Sequence, residues 1–289
     1  MGDYAGGWVD APKVSNAANN PSICAQVVNI DEGLYRVKIF HEFDQRCPVY
    51  VDMEVPVKNG ALEATSGGWQ FKVSKKTITG QALGMGKKDQ PVSFALNYVE
   101  RLSPTLGMAP PPNGIVLLGD NGFDALQHSD GKPVRWKWIP EEKVMEVDPE
   151  SRIEGASRTV VSKHKFMDVR LHVEFRYPIE PGASGQGRGN SGFFLMDFYE
   201  LQVLNSYGLD GLWNECGSMY KVAAPKVNMA APPLQWQTYD IVFHAPRFDP
   251  GGTKVQNARI TVWHNGKLIH KDQEIPHSFP VQTPMRAAL

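Results

Sequence analysis

The sequence predicts an all-β protein, and three observations carry that expectation. The first is composition: 27 Gly and 22 Pro in 289 residues, with only 21% charged, describe a turn-rich globular chain rather than a helical or disordered one. The second is a set of dipeptides suited to tight turns: Asn59-Gly60, Asn113-Gly114, Asn121-Gly122, Asn265-Gly266, Asp130-Gly131 and Asp210-Gly211. The third is alternation of apolar and polar residues between those turns, with no segment sustaining a helical period.

In chain order, the first strands are read at Tyr35 to Phe40, Phe71 to Val73 and Phe94 to Leu96. The phrase from Gly33 to Val55 reads as strand, turn, strand, and its carboxylates as solvated faces. Together they predict a small β-sandwich or barrel-like N-terminal domain over residues 1–108. The proline-rich stretch from Pro104 to Pro112 cannot continue a ladder and reads as a linker. A larger second domain is expected over 114–289, with strands at Val169 to Phe175 and Ile260 to Trp263.

Net charge of −1 gives nucleic acid or an anionic membrane no global attraction, and no apolar run reaches the length of a membrane span. The opening MGDYAGGW has neither a basic nor an apolar leader region. Cys24 and Cys47 could form a disulfide in an exported protein, leaving Cys216 as a buried thiol.

Chemistry concentrates in the second domain. In the strand around Tyr199 to Val203, Glu200 and Gln202 share one face while Tyr199, Leu201 and Val203 share the other. In Val169 to Arg176 the same alternation puts Arg170, His172, Glu174 and Arg176 on one face. That row is open surface or the wall of a groove, and two such strands side by side would line a cleft. Gly187 to Gly192 has the letters GxGxxG, but a strand-like run follows where a dinucleotide site needs a helix, so it reads as a turn presenting Arg188 and Asn190.

No metal signature stands in the sequence and no particular cofactor is indicated, although His172, Glu174 and Glu200 could supply N and O ligands to a divalent ion. Glu174 and Glu200 are also candidates for paired carboxylates of glycoside chemistry. Trp213, Tyr220 and Trp236 are either core or faces on which a sugar ring could stack.

With these residues in view, the second domain resembles the 3-keto-disaccharide hydrolase family. The likeness begins at Gly114 to Gly122 and runs through Phe166 to Arg176, Gly187 to Gly192 (GRGNSG), Tyr199 to Gln202 (YELQ), Cys216 to Tyr220 (CGSMY), Ala224 to Tyr239 and the hairpin His264-Asn265-Gly266. It departs in two places. Asn205-Ser206 stands where relatives have Asp-Ser, and the chain ends at Leu289 without the family's closing phrase, whose true absence would remove a terminal strand.

The resemblance implies a concanavalin A-like two-sheet jelly roll that binds an oligosaccharide or glycoside, in an exported, periplasmic or secreted protein. It implies cleavage of 3-keto-glycosides, by β-elimination or hydrolysis: the ketone acidifies the C2 proton, a base removes it, and the C1 aglycone leaves. Carried onto this chain, Glu200, His172 and Glu174 are the catalytic candidates, with His172 or Glu200 as base and Arg188 or Lys221 facing the oxyanion. Asn190, Gln202 and Tyr220 join Arg188 and Lys221 as substrate-binding candidates, and Trp236 has a packing role. A lectin-like sugar-binding module and an ordinary glycosidase are the alternatives.

Overall fold

The computed structural model describes residues 1–11, 16–19, 21–86, 90–147 and 159–277. The expectation about a missing final strand falls beyond residue 277, outside the described residues. Among the described residues, no helix is long and apolar enough to cross a membrane, and strands dominate. By compactness the chain forms two units, Met1–Leu106 with Asp168–Leu289, and Gly107–Met167. This division differs from the sequence reading, which set 1–108 against 114–289.

The larger unit begins with eight antiparallel strands: β1 (Gly2–Trp8), β2 (Ser22–Asp31), β3 (Leu34–Phe40), β4 (Val49–Pro56), β5 (Leu62–Ser66), β6 (Trp69–Val73), β7 (Thr77–Ala82) and β8 (Val92–Val99). Their spatial order is β4-β3-β2-β1-β8-β7-β6-β5. Strand β1 pairs with β2 on one side and β8 on the other, and β4 meets β5 through the Lys58–Ala61 bridge around Asn59-Gly60, so the sheet nearly closes into a barrel. Asn59 and Gly60 both take positive φ (51° and 75°), the conformation a two-residue hairpin turn requires. The period of two then puts Ile23, Ala25, Val27, Val37, Ile39, Ile78, Phe94 and Leu96 inside, all nearly inaccessible to water. The barrel is filled by its own side chains. Each Val, Ile, Leu or Phe so buried contributes roughly 1.5–3 kcal/mol against chain entropy.

In the smaller unit, β9 (Leu126–His128) pairs with β12 (Val160–Ser162), and β10 (Lys137–Ile139) with β11 (Val144–Glu146). The rest of the larger unit supplies β13 (Val169–Phe175), β14 (Ser191–Leu195), β15 (Tyr199–Val203), β16 (Gln237–His244), β17 (Arg247–Phe248), β18 (Lys254–Gln256), β19 (Ala258–His264) and β20 (Lys267–Ile275). Strands β13-β16-β19-β20 form one antiparallel sheet, β14 and β15 a hairpin that packs against it, and β17 with β18 a short hairpin. The all-β, two-layer jelly-roll architecture expected from the sequence is present.

Aromatic rings fill the space between the layers: Phe175 lies 5.9 Å from Phe193 and 4.7 Å from Tyr239, and Tyr199 lies 5.7 Å from Phe243. Such pairs add about 0.5–1.5 kcal/mol each beyond their buried area. Tyr239 Oη also donates to Gln202 O at 2.7 Å, satisfying a phenol that could not be buried alone.

Within the larger unit, barrel and jelly roll meet through polar contacts. Tyr207 Oη donates to Asp3 Oδ1 at 2.6 Å, Gln235 Nε2 to Arg101 O at 2.7 Å, and Lys38 pairs with Asp210 at 2.5 Å. A cavity of about 390 Å³ opens at this seam, lined by Asp3, Arg101, Met229, Asn265 and Lys267 among others. Burial raises the Asp3 pKa, but Arg101, Tyr207 and Gln26 all engage its carboxylate. The three cysteines are unbridged, which corrects the expected Cys24–Cys47 disulfide. Cys24 is instead a buried side chain of β2, its thiol pushed up to about 12 by burial.

Candidate functional site

The face of Glu200 and Gln202 is built by one hairpin. In β14–β15, Gly192 pairs with Gln202 and Phe194 with Glu200, so these four residues share a face while Phe193, Leu201 and Val203 pack inward. Glycine at 192 makes room for the carboxylate: a Cβ there would lie 2.5 Å from Glu200 Oε1. Among the described residues, no hydrogen bond or ion pair reaches the Glu200 carboxylate, and burial raises its pKa above the ordinary glutamate value.

Gln202 is 1% exposed. Its Nε2 donates to Gln186 Oε1 at 3.1 Å, whose own Nε2 donates to Asn214 O at 2.9 Å, while Gln202 Oε1 has no partner among the described residues. Gln186 belongs to the short 3-10 turn Gly185–Gly187. Sequence reading missed it, though its position inside the glycine-rich loop was a signal.

The other edge of this face comes from the segment after β15. Tyr220 N donates to Glu200 O at 3.0 Å, and Leu201 bridges Met219, so the segment runs alongside the strand. Trp213 and Tyr220 lie 6.0 Å apart, with Lys221 Nζ 5.7 Å from each ring centre. Trp213 is 47% exposed and Phe194 46%, leaving aromatic surface open around the carboxylate. Glu215, in the same segment, is committed to the Gly211 and Leu212 amides at 2.6 and 2.9 Å.

The Gly187 to Gly192 loop leads into a strand, as its rejection as a nucleotide motif requires. Arg188 O accepts from Asn205 N at 2.9 Å, Arg188 Nε donates to Gly185 O at 3.1 Å, and Asn190 is exposed just ahead of β14. The loop is thus tied at the Val203–Asn205 end of β15. Burial lowers the Arg188 pKa, against the raising influence of Glu215. The neighbour of Asn205, Ser206, is wholly buried and accepts from Cys216 N at 2.9 Å.

His172 and Glu174 are elsewhere. They lie on the outward face of β13, whose inward residues Val173 and Phe175 pack in the sandwich core, so the core separates them from the outward face of β15. The expected cleft between the two polar rows does not form, because the strands belong to different layers with opposite outward faces. His172 is held at 2.7 Å by Asp240 and 3.2 Å by Glu174. Burial lowers its pKa, but the hydrogen bonds and charges of Asp240 and Glu174 outweigh that and leave it raised. Thr105 Oγ1 donates to Asp240 Oδ2 at 2.7 Å, extending this cluster to the segment beyond the barrel. Trp236 is covered by the Arg176 guanidinium at 4.7 Å.

Glu174 and Glu200 therefore do not flank a common space, and the His172, Glu174 and Glu200 ligand set is not assembled. Among the described residues, no three His, Cys, Asp or Glu side chains are grouped to hold a metal ion. What the structure does bring together is Glu200, Gln202, Gln186, Trp213, Tyr220 and Lys221: a half-buried carboxylate, two amides, an aromatic pair and a cation.

Comparison with known proteins agrees with this β-rich frame. A crystal structure of a candidate glycosyl hydrolase from Parabacteroides distasonis is 29% identical, covering 61% of this chain and 72% of its own, with a TM-score of 0.54. A second such protein from the same organism is 17% identical over 54% of this chain and 70% of its own, with a TM-score of 0.39. No curated protein matches the chain. Residues 123–283, more than half of the sequence, match the model of the 3-keto-alpha-glucoside-1,2-lyase-like domain, and the chain belongs to that family.

Proposed function

We propose that this protein cleaves the glycosidic bond of 3-keto-glycosides, by β-elimination or net hydrolysis, with Glu200 as the general base. The family and the glycosyl hydrolase likeness support a carbohydrate-active, glycoside-acting enzyme in general. The observation that carries the finer reading is the isolation of Glu200. A two-carboxylate glycosidase needs its acid and base about 5–10 Å apart across the scissile bond. Here Glu174 faces away on the other layer and Glu215 is tied to main-chain amides, so Glu200 has neither as a catalytic partner.

A single base suffices where the substrate carries a ketone at C3. Glu200 accepts the C2 proton, and the electron pair forms an enolate whose oxygen a cation can stabilise, Lys221 beside Tyr220 or Arg188 from the loop tied at the Val203–Asn205 end of β15. Collapse of the enolate breaks the C1–oxygen bond, and the departing oxygen takes up a proton, in the simplest form the one Glu200 has just accepted. Water adding across the resulting C1–C2 double bond completes net hydrolysis. Burial of Glu200 suits this step, since a raised pKa makes the carboxylate a stronger base. Trp213, Tyr220 and Phe194 offer apolar faces to the sugar or aglycone ring, and the buried Gln202–Gln186 amide pair braces the strand beneath them.

The test pairs a 3-keto-glucoside with its unoxidised parent. Release of aglycone from the ketone alone is expected; cleavage of the parent sinks the proposal in favour of an ordinary glycosidase, and binding without turnover in favour of a lectin-like module. The N-terminal barrel is proposed as an accessory domain. Periplasmic or secreted location is proposed on the family resemblance alone, and fractionation of producing cells tests it.

A further inference from the structure

Four main-chain carbonyls of the jelly roll converge on one barrel side chain. Arg46, in the turn between β3 and β4, donates from Nε to Lys226 O at 3.1 Å and from Nη1 to Asp210 O at 2.8 Å. Its Nη2 donates to Gly211 O at 2.5 Å and Pro225 O at 2.9 Å. One strand away, Lys38 on β3 reaches the Asp210 carboxylate at 2.5 Å, and its side chain is only 8% exposed. Both barrel cations thus grip the same turn.

Those carbonyls belong to two turns that bracket residues 212–224, the segment carrying Trp213, Asn214, Tyr220 and Lys221. Gly211 takes φ of +74°, a turn conformation in which its carbonyl and that of Asp210 are used by Arg46 rather than by a strand partner. The inner side of the segment is fixed by Tyr220 N to Glu200 O and by the Leu201–Met219 bridge. Its outer side is fixed from the barrel. A guanidinium is a planar fork able to hold several carbonyls at set angles, whereas a lysine ammonium is a single flexible point.

We propose that Arg46 is a positioning residue for the aromatic edge of the Glu200 site, so that the N-terminal barrel completes substrate recognition in the jelly roll. This rests on reading the Glu200 face as the sugar site. Arg46 is an exposed residue, so water competes for its bonds and the effect falls on placement of the segment rather than on global stability.

The test uses the full chain with Arg46→Ala and Arg46→Lys. Hydrogen exchange of peptides covering 209–216 is followed alongside KM and kcat on the α and β anomers of 4-nitrophenyl 3-keto-glucopyranoside. Faster exchange confined to that segment is expected for Arg46→Ala, with KM raised roughly tenfold while kcat stays within about twofold, and a partial return in Arg46→Lys. Unchanged exchange, unchanged KM, or a uniform loosening of the whole chain overturns the proposal. If Arg46→Ala does not fold, Lys38→Met is measured in the same way, and a segment that exchanges as in the parent overturns it equally. A parent protein inert toward both anomers sinks the functional reading instead, and the clamp is then judged on exchange alone.

Discussion

Tyr239 Oη donates to the main-chain carbonyl of Gln202 at 2.7 Å, joining the four-stranded sheet to the strand that carries Glu200. The phenol also lies 3.1 Å from Cys216 Sγ, and both groups are fully buried. The inner layer contact and the outer functional face thus share one residue, Gln202, whose carbonyl points to the core side and whose amide to the site.

Replacing Tyr239 by Phe keeps the ring and removes one of two donors to the Gln202 carbonyl, leaving the Gly217 amide at 3.0 Å. The expected loss is about 0.5–1.5 kcal/mol, read as a lower denaturation midpoint at unchanged slope. Burial holds the phenol well above its usual pKa, so the loss should be the same at neutral and mildly alkaline pH.

Gly192→Ala addresses the carboxylate directly. The new methyl meets the mobile end of Glu200, so the side chain moves while the backbone, which needs no positive φ at 192, stays. Turnover of a 3-keto-glucoside should fall about 10- to 100-fold with the melting temperature nearly unchanged, since a displacement of about 1 Å is enough to cost that much. Full activity would count against Glu200 as base.

Glu200→Gln should remove about 10²- to 10⁴-fold of turnover, the usual contribution of a general base. Its effect on stability has the opposite sign. The folded-state pKa of Glu200 is raised by burial, so its contribution is greatest below the ordinary glutamate value and is lost as pH rises through the folded value. The neutral amide should therefore melt higher than the parent at pH 7 and converge with it in acid. The parent's kcat/KM should rise with pH through a value above that of free glutamate, a limb absent from the variant.

His172 gives the complementary case. Its pKa is raised on balance, Asp240 and Glu174 outweighing burial, so its stabilisation is full below the ordinary histidine value and fades as pH rises through the folded one. His172→Ala should cost about 1 kcal/mol at pH 5.5 and less at pH 8.5, by thermal melts at both. Activity should persist, because the side chain lies on the outward face of the other layer. Loss of turnover in a folded His172→Ala protein would return this residue to the base role.

Much of the fold was legible. The alternations at Tyr35 to Phe40, Phe71 to Val73, Phe94 to Leu96, Val169 to Phe175 and Ile260 to Trp263 all fall within strands β3, β6, β8, β13 and β19. Asn59-Gly60 and Asn265-Gly266 form the hairpin turns their residue types favour, each with positive φ at both positions. The pairing of Glu200 with Gln202 on one face was legible for the same reason: side-chain direction along a strand is set locally. The Cys24–Cys47 bridge was not, because two cysteines in sequence say nothing of their separation or approach in space.

The sequence by itself determined the β class, the turns and, residue by residue, which side chains share a face, since these follow from backbone geometry over a few positions. Only the tertiary structure decided which faces look toward one another. His172 with Glu174 and Glu200 with Gln202 carry the same local pattern, yet the first pair closes on Asp240 on one side of the sandwich while the second opens beside Trp213 and Tyr220 on the other. That choice depends on how two layers bury their apolar faces against each other, and on barrel residues such as Arg46 that meet the site segment from about 165 positions away in the chain.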